Sequence, residues 1–130
     1  MAGSFTDYLE DKILKHVFTN TAYTSPTTVY IGLFTVAPTD TGGGTEVSGG
    51  SYARKSAAFT VSGTGTLATN TSAIEFDTAT GTWGTIVAMA VFDALTTGNM
   101  LAWADLTTSK SISSGDVLRI PAGDLDITLS

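Results

Sequence analysis

The stretch TGGGTEVSGGSYARK (residues 41–55) gathers five glycines, one carboxylate and a late basic pair. Backbone N–H groups of a glycine loop can close on a phosphate, but such a loop follows a strand and opens a helix, whose N-terminus supplies the positive end of a dipole. A strand is expected before it, at 27–36. After Gly50 the chain reads SYARKSAAFTV, which alternates Tyr52, Arg54, Ser56 and Ala58 with Ala53, Lys55, Ala57 and Phe59. That is the period of a strand, not of a helix. No G-K-[ST] follows, and GGGTEVSGG does not match GxGxxG. The phosphate reading fails. What remains is a connection of about fourteen residues, a length that in compact domains marks mobile or functional segments. Gly42, Gly43, Gly44, Gly49 and Gly50, with Glu46, Tyr52, Arg54 and Lys55, form the candidate subunit-contact loop, expected to order against a neighbouring copy.

Other chemistry is scarce. The absence of cysteine removes disulfides, thiolate catalysis and cysteine-ligated zinc together. The single histidine, His16, excludes a histidine cluster, and its place at the end of a helix fits a structural role. Glu75 and Asp77 share one face of an expected strand, as do Asp124 and Asp126. Hard oxygen ligands in pairs suit calcium, and two carboxylates suit glycoside hydrolysis. In IEFD and LDITL, however, the acids alternate with apolar residues, the pattern of a half-wet strand. Phe34, Phe76 and Phe92 read as core. Trp83, in TGTWGT between strands, either packs across a corner of the fold or stands exposed as a platform for a sugar. No catalytic, metal or cofactor residues are expected, and the chain is not expected to be an enzyme.

Twelve acids against six bases leave a net charge of −6, the wrong sign for wrapping nucleic acid. Charged residues make up 14% of the 130 residues, and Gly, Thr, Ser and Ala take their place. An exterior so poor in ionic cover implies that part of it is covered in use. No apolar run reaches the eighteen or so residues of a membrane span. The N-terminus lacks the basic-then-apolar layout of a signal peptide, so the protein is expected to be made and kept in a cytoplasm.

These residues must be positioned by one helix and a set of strands. Residues 1–18 form the only convincing helix: Phe5, Leu9, Ile13 and Val17 recur every four positions, and Ser4 with Asp7 offers a capping box. From Thr27 the period becomes two, with strands expected at 27–36, 51–61, 72–78, 85–94, 99–107, 110–114, 116–123 and 125–130. Gly98-Asn99 suits a tight hairpin, and Gly115 a turn that needs positive φ. Short strands spaced near ten residues apart, with no helices between them, predict a mainly β protein, an antiparallel β-sandwich of about eight strands, jelly-roll-like, with one N-terminal α-helix. A single domain over 1–130 is expected, with helix 1–18 and sandwich 27–130.

Five segments together carry a resemblance. They are FTDYLEDKILKHVFTNTAYTSPTTVYIGLFTVAPTD, GTEVSGGSYARK, AIEFDTATGTWGTI, FDALTTGNMLAWADLTTSKSISSGD and PAGDLDITLS. In this order they resemble a family of small virion proteins of tailed bacteriophages, commonly labelled tail fibre proteins and similar to capsid cement proteins. The resemblance implies a structural protein of the virion, assembled in the host bacterial cytoplasm, with no catalytic residues to carry over. The chain shows neither the repeats nor the heptads of an elongated stalk. The expectation is therefore a capsid cement or decoration protein, binding as a homotrimer between capsomers. Its partners would be its own copies and the major capsid protein or tail proteins, without nucleic acid or membrane. The alternative is a tail fibre or tail-tip module that binds a host carbohydrate receptor.

Overall fold

A computed structural model describes residues 3–63 and 65–128. The chain runs β1 (Gly3–Phe5), α1 (Asp7–Phe18), β2 (Val29–Val36), β3 (Thr45–Glu46), β4 (Lys55–Ala57), β5 (Phe59–Val61), β6 (Leu67–Asn70), β7 (Ile74–Glu75), β8 (Gly84–Phe92), β9 (Met100–Ile112), β10 (Arg119–Ile120) and β11 (Asp126–Thr128). The ends of the predicted helix and last strand, residues 1, 2, 129 and 130, lie outside the described residues, as does Thr64.

The fold is an antiparallel β-sandwich with one helix. Its main sheet has the order β1-β9-β8-β2, and the far edge of β2 is shared by β4 at one end and β3 at the other. Two ribbons, β11-β6-β5 and β10-β7, face it. Alternation along β2 and β8 sends Ile31, Leu33 and Val91 to the inner face, where they meet Ile74, Phe76, Trp83, Leu118 and Ile120. The outer face carries a smaller apolar cluster of Phe34, Ala88, Ala90 and Phe92.

Strand boundaries depart from the sequence pattern where the chain changes partners. The predicted strand 51–61 is two strands: Ala57 pairs with Val29 in the main sheet, and Phe59 pairs with Asn70 in a ribbon. The chain crosses the sandwich at Ala58, a corner that periodicity cannot register. Conversely, the predicted strands 99–107 and 110–114 are one. Ile86 pairs with Lys110 and Ala88 with Asp105, so Val87 faces the extra residues of a bulge in β9. The strands β1, β3 and β6 are too short, and too rich in Gly, Thr and Ser, to announce themselves.

The helix starts later than predicted. Ser4 and Phe5 belong to β1, paired with Trp103 and Ala102, and the N-cap is Thr6, whose hydroxyl oxygen accepts the Leu9 N–H at 3.4 Å. Thr6 is buried, and its hydroxyl donates to the Met100 carbonyl at 2.6 Å, which fixes the root of α1 to the start of β9. The helix stops where the Thr19 and Thr21 N–H groups both turn onto the Lys15 carbonyl and Asn20 takes a φ of 57°. No residue of α1 is fully buried. Leu9 and Ile13 are half-buried, whereas Val17, at the end of the predicted apolar stripe, is exposed.

The Gly98-Asn99 pair does not make a tight two-residue hairpin. Seven residues, 93–99, separate β8 from β9, and the Asp93 carboxylate closes this wider loop by accepting the Asn99 backbone N–H at 2.7 Å and its side-chain amide at 2.9 Å. Gly115 does turn at positive φ, in a turn closed from Asp116 to Ser113.

Candidate functional site

Glu46 and Arg54 meet on the outer face of the main sheet, and the Tyr52 hydroxyl reaches Glu46 from the inner core, where its ring packs on Phe76 and Trp83. Arg54 donates to both carboxylate oxygens of Glu46, at 2.8 and 2.9 Å, and to the carbonyls of Ala94 and Thr97, at 2.9 and 2.8 Å. Its guanidinium lies over the Phe92 ring, which in turn stacks on Phe34 with centroids 6.1 Å apart. Tyr52 donates to Glu46 at 2.7 Å and accepts the Leu33 N–H at 2.9 Å. Burial and the neighbouring carboxylate hold the Tyr52 phenol far above its ordinary pKa. Gly32 leaves the room for this cluster, because a Cβ there would lie 2.9 Å from both Glu46 and the Phe92 ring.

Within the chain itself, much of the 39–55 segment is already tied down. Thr39 and Gly42 close a tight turn by exchanging backbone hydrogen bonds at 2.8 and 2.9 Å. Asp40, at its tip, receives the Ser4 hydroxyl and, at 2.9 Å, the Trp103 indole N–H. These two donors hold the Asp40 carboxyl below its ordinary pKa. Gly44, at φ +74°, lies so close to the Val36 and Pro38 backbone that a Cβ would approach within 2.6 Å. Val47 enters the core. Around Gly42, Gly43 and Gly49 there is open space, so these three are the part of the loop left free to meet another surface. Lys55 points away and pairs with Asp77 at 2.7 Å.

Trp83 is not an exposed platform. It is 4% exposed, its indole N–H donates to the Gly50 carbonyl at 2.8 Å, and its ring meets Tyr52 edge-on at 5.4 Å. A Cβ on Gly50 would strike the indole at 2.9 Å, so the glycine is the seat of the tryptophan. Of the two readings open to TGTWGT, the structure selects the corner.

The acidic pairs do not converge. Glu75 stands across from Arg119 in the β7–β10 register, Asp77 is taken by Lys55, and Asp126 is exposed on β11 with Asp124 exposed in the turn before it. Among the described residues no group of three His, Cys, Asp or Glu side chains could hold a metal ion. His16 accepts the Tyr23 N–H at 3.1 Å through Nδ1, a structural use. No helix among the described residues is long and apolar enough to cross a membrane.

Above the Arg54–Phe92 stack opens a cleft of about 640 Å³. The first turn of α1 gives it Asp7 and Tyr8, the 39–46 turn gives Asp40 and Thr41, and the 93–99 loop gives Thr97 and Asn99. Hydroxyls, carboxylates and an amide therefore rim an aromatic and guanidinium floor, within the size range of small-molecule sites. Asp40, Tyr8 and Asn99 carry no motif. The one signal in the sequence is that TD before TGGG, and DALTTGN, are turn-rich and join predicted strands.

No curated protein sequence matches the chain. Residues 4–128, which span the main sheet, both ribbons and the cleft, match the family described as "Podophage GP4 fiber I protein gp80". The chain accordingly belongs to that family of phage fibre proteins, as a virion component with an antiparallel sandwich fold.

Proposed function

We propose that this chain is a fibre module of a tailed bacteriophage particle, and that the 640 Å³ cleft takes a saccharide of the host surface. The family description supports the fibre reading ahead of capsid cement. The observation that carries the cleft is convergence: three segments from distant parts of the chain bring Asp7, Asp40, Thr41, Thr97 and Asn99 around one opening. Carboxylates and amides accept and donate to sugar hydroxyls, and the half-buried Tyr8 at the rim offers a ring to the apolar face of a pyranose. Asp7 and Asp40 at an opening where Arg54 is already taken up by Glu46 disfavour an anionic glycan, so the ligand class is a neutral or amino sugar.

Glycan-array binding of the purified protein tests the cleft. Thr41→Trp, which places bulk at the exposed rim, is expected to abolish the signal without lowering the melting temperature. Failure of the wild type to bind any saccharide while its particles still adsorb would sink the cleft. Antibody labelling of intact particles tests the fibre: label on the tail supports it, and label confined to the head returns the capsid cement role.

A further inference from the structure

Leu14, Val17 and Phe18 stand out from the last turns of α1 at 58%, 61% and 77% exposure. They occupy positions i, i+3 and i+4 and so form one apolar knob. Elsewhere, on the inner face of the main sheet beside β11, a cleft of about 300 Å³ remains open, lined by Phe5, Ile31, Met89, Val91, Leu125 and Ile127. We propose that the α1 knob of one copy inserts into this apolar cleft of the next copy, and that the fibre protein assembles through this heterologous contact.

Four observations bear on the choice of occupant. Size fits: a cavity of about 150 Å³ accommodates one benzene ring, so the 300 Å³ cleft has room for the Phe18 ring with an aliphatic neighbour. Charge fits as well. Lys15, exposed and shared with Asp11 at 3.0 Å along the helix, flanks the knob, while Asp126 lines the cleft and Asp124 lies two residues before it in the chain. A copy cannot fill its own cleft, because Phe5 lines it and α1 then carries Phe18 on the order of 17 Å away from the helix root. Finally, three side chains packed flat against a second helix would fall well short of the roughly 800 Å² per partner of a stable interface. Insertion buries the knob on several sides at once and covers the cleft walls too.

Each copy has one knob and one hole, so the contact propagates until the rotation closes a ring or continues as a filament. The homotrimer expected from the sequence is one such ring. The contact is independent of the saccharide cleft, which lies on the opposite face of the main sheet.

Sedimentation of the full chain tests this. Wild type is expected to form oligomers whose mass rises with concentration. Phe18→Asp keeps the hole and loses the knob; Ala102→Trp keeps the knob and fills the hole, since Ala102 lines the cleft. Each alone is expected to be monomeric, and an equimolar mixture to stop at a 1:1 dimer, because only one intact contact remains. A monomeric wild type at millimolar concentration, or either variant with wild-type mass, overturns the proposal. Should Ala102→Trp fail to fold, exposed charge reversals decide: Lys15→Glu and Asp126→Lys are each expected to weaken association several-fold at low salt, and the double variant to restore it. Unchanged association in both single variants overturns the proposal.

Discussion

The Arg54 guanidinium carbon lies 3.5 Å from the centre of the Phe92 ring. The same guanidinium is held edge-on by Glu46 and by two carbonyls of the 93–99 loop, so one side chain ties β3, the approach to β4 and the β8–β9 connection together. Arg54 is 8% exposed and Glu46 24%, so the pair is partly desolvated and the guanidinium is held by the carboxylate, two carbonyls and the ring. Lysine cannot replace it, because the fork of donors and the flat face act at once.

Removal of Arg54 leaves Glu46 in a partly desolvated site with one donor fewer on each oxygen. Arg54→Ala is expected to lower the unfolding free energy by about 3 kcal/mol, and Arg54→Lys to recover little of it. Glu46→Ala with Arg54→Ala should be non-additive by about 1 kcal/mol or more. Urea denaturation of the wild type, the three single variants and the double variant measures this. A loss within experimental error of zero for Arg54→Ala would mean that the loop is held by other contacts.

Tyr52 gives the fold an alkaline limit. Its phenol is neutral in the folded state and its pKa lies above the ordinary tyrosine value, so the folded chain retains a proton that the unfolded chain releases. The associated stability is complete below the unfolded pKa of about 10 and declines as pH rises beyond it. Tyr52→Phe is expected to cost about 1–3 kcal/mol at neutral pH, since the Leu33 N–H loses its acceptor. The variant should also lack the Tyr52 share of the alkaline decline, which thermal melts from pH 8 to 11 resolve.

Asp40 acts in the opposite direction. Its carboxyl is held below its ordinary pKa of 3.8 by the Ser4 hydroxyl and the Trp103 indole. A depressed folded pKa contributes stability above the unfolded value, lost as pH falls through the folded one. The group is open to solvent, so salt weakens the effect. Wild type is therefore expected to lose melting temperature more steeply than Asp40→Asn below pH 3.8 at low ionic strength. Parallel slopes for the two proteins would contradict this.

Thr69 offers a gain. Its hydroxyl oxygen is buried in β6 with no hydrogen-bond partner, the one such side-chain atom among the described residues. Thr69→Val replaces that hydroxyl by a methyl group of nearly the same shape and keeps the β-branch that a strand favours. Stability is expected to rise by about 1 kcal/mol, read as a higher urea midpoint with an unchanged slope. A fall would indicate that the hydroxyl is satisfied in solution.

Much was legible from the sequence. Near-continuous apolar runs in TTVYIGLFTV and TIVAMAVFDA specify the two central strands, β2 and β8, because both faces of each carry buried side chains. Phe34, Phe76 and Phe92 are buried as their strand contexts require. The helix was legible in kind, but its first turn was not: residues 3–5 follow the helical stripe yet pair with β9, nearly a hundred positions away in the chain.

The sites were decided by the tertiary structure. Trp83 is buried because Gly50 leaves a seat for it, and Arg54 is a clamp because Gly32 leaves space for the Glu46 carboxylate above Phe92. Asp40 reaches Trp103 only through the packing of the 39–42 turn against β1 and β9. Local residue types and their spacing set the strand and helix periods, since these are properties of a single segment. Which glycine, carboxylate and ring come together depends on contacts between segments far apart in sequence, and one segment's periodicity holds no information about its partner.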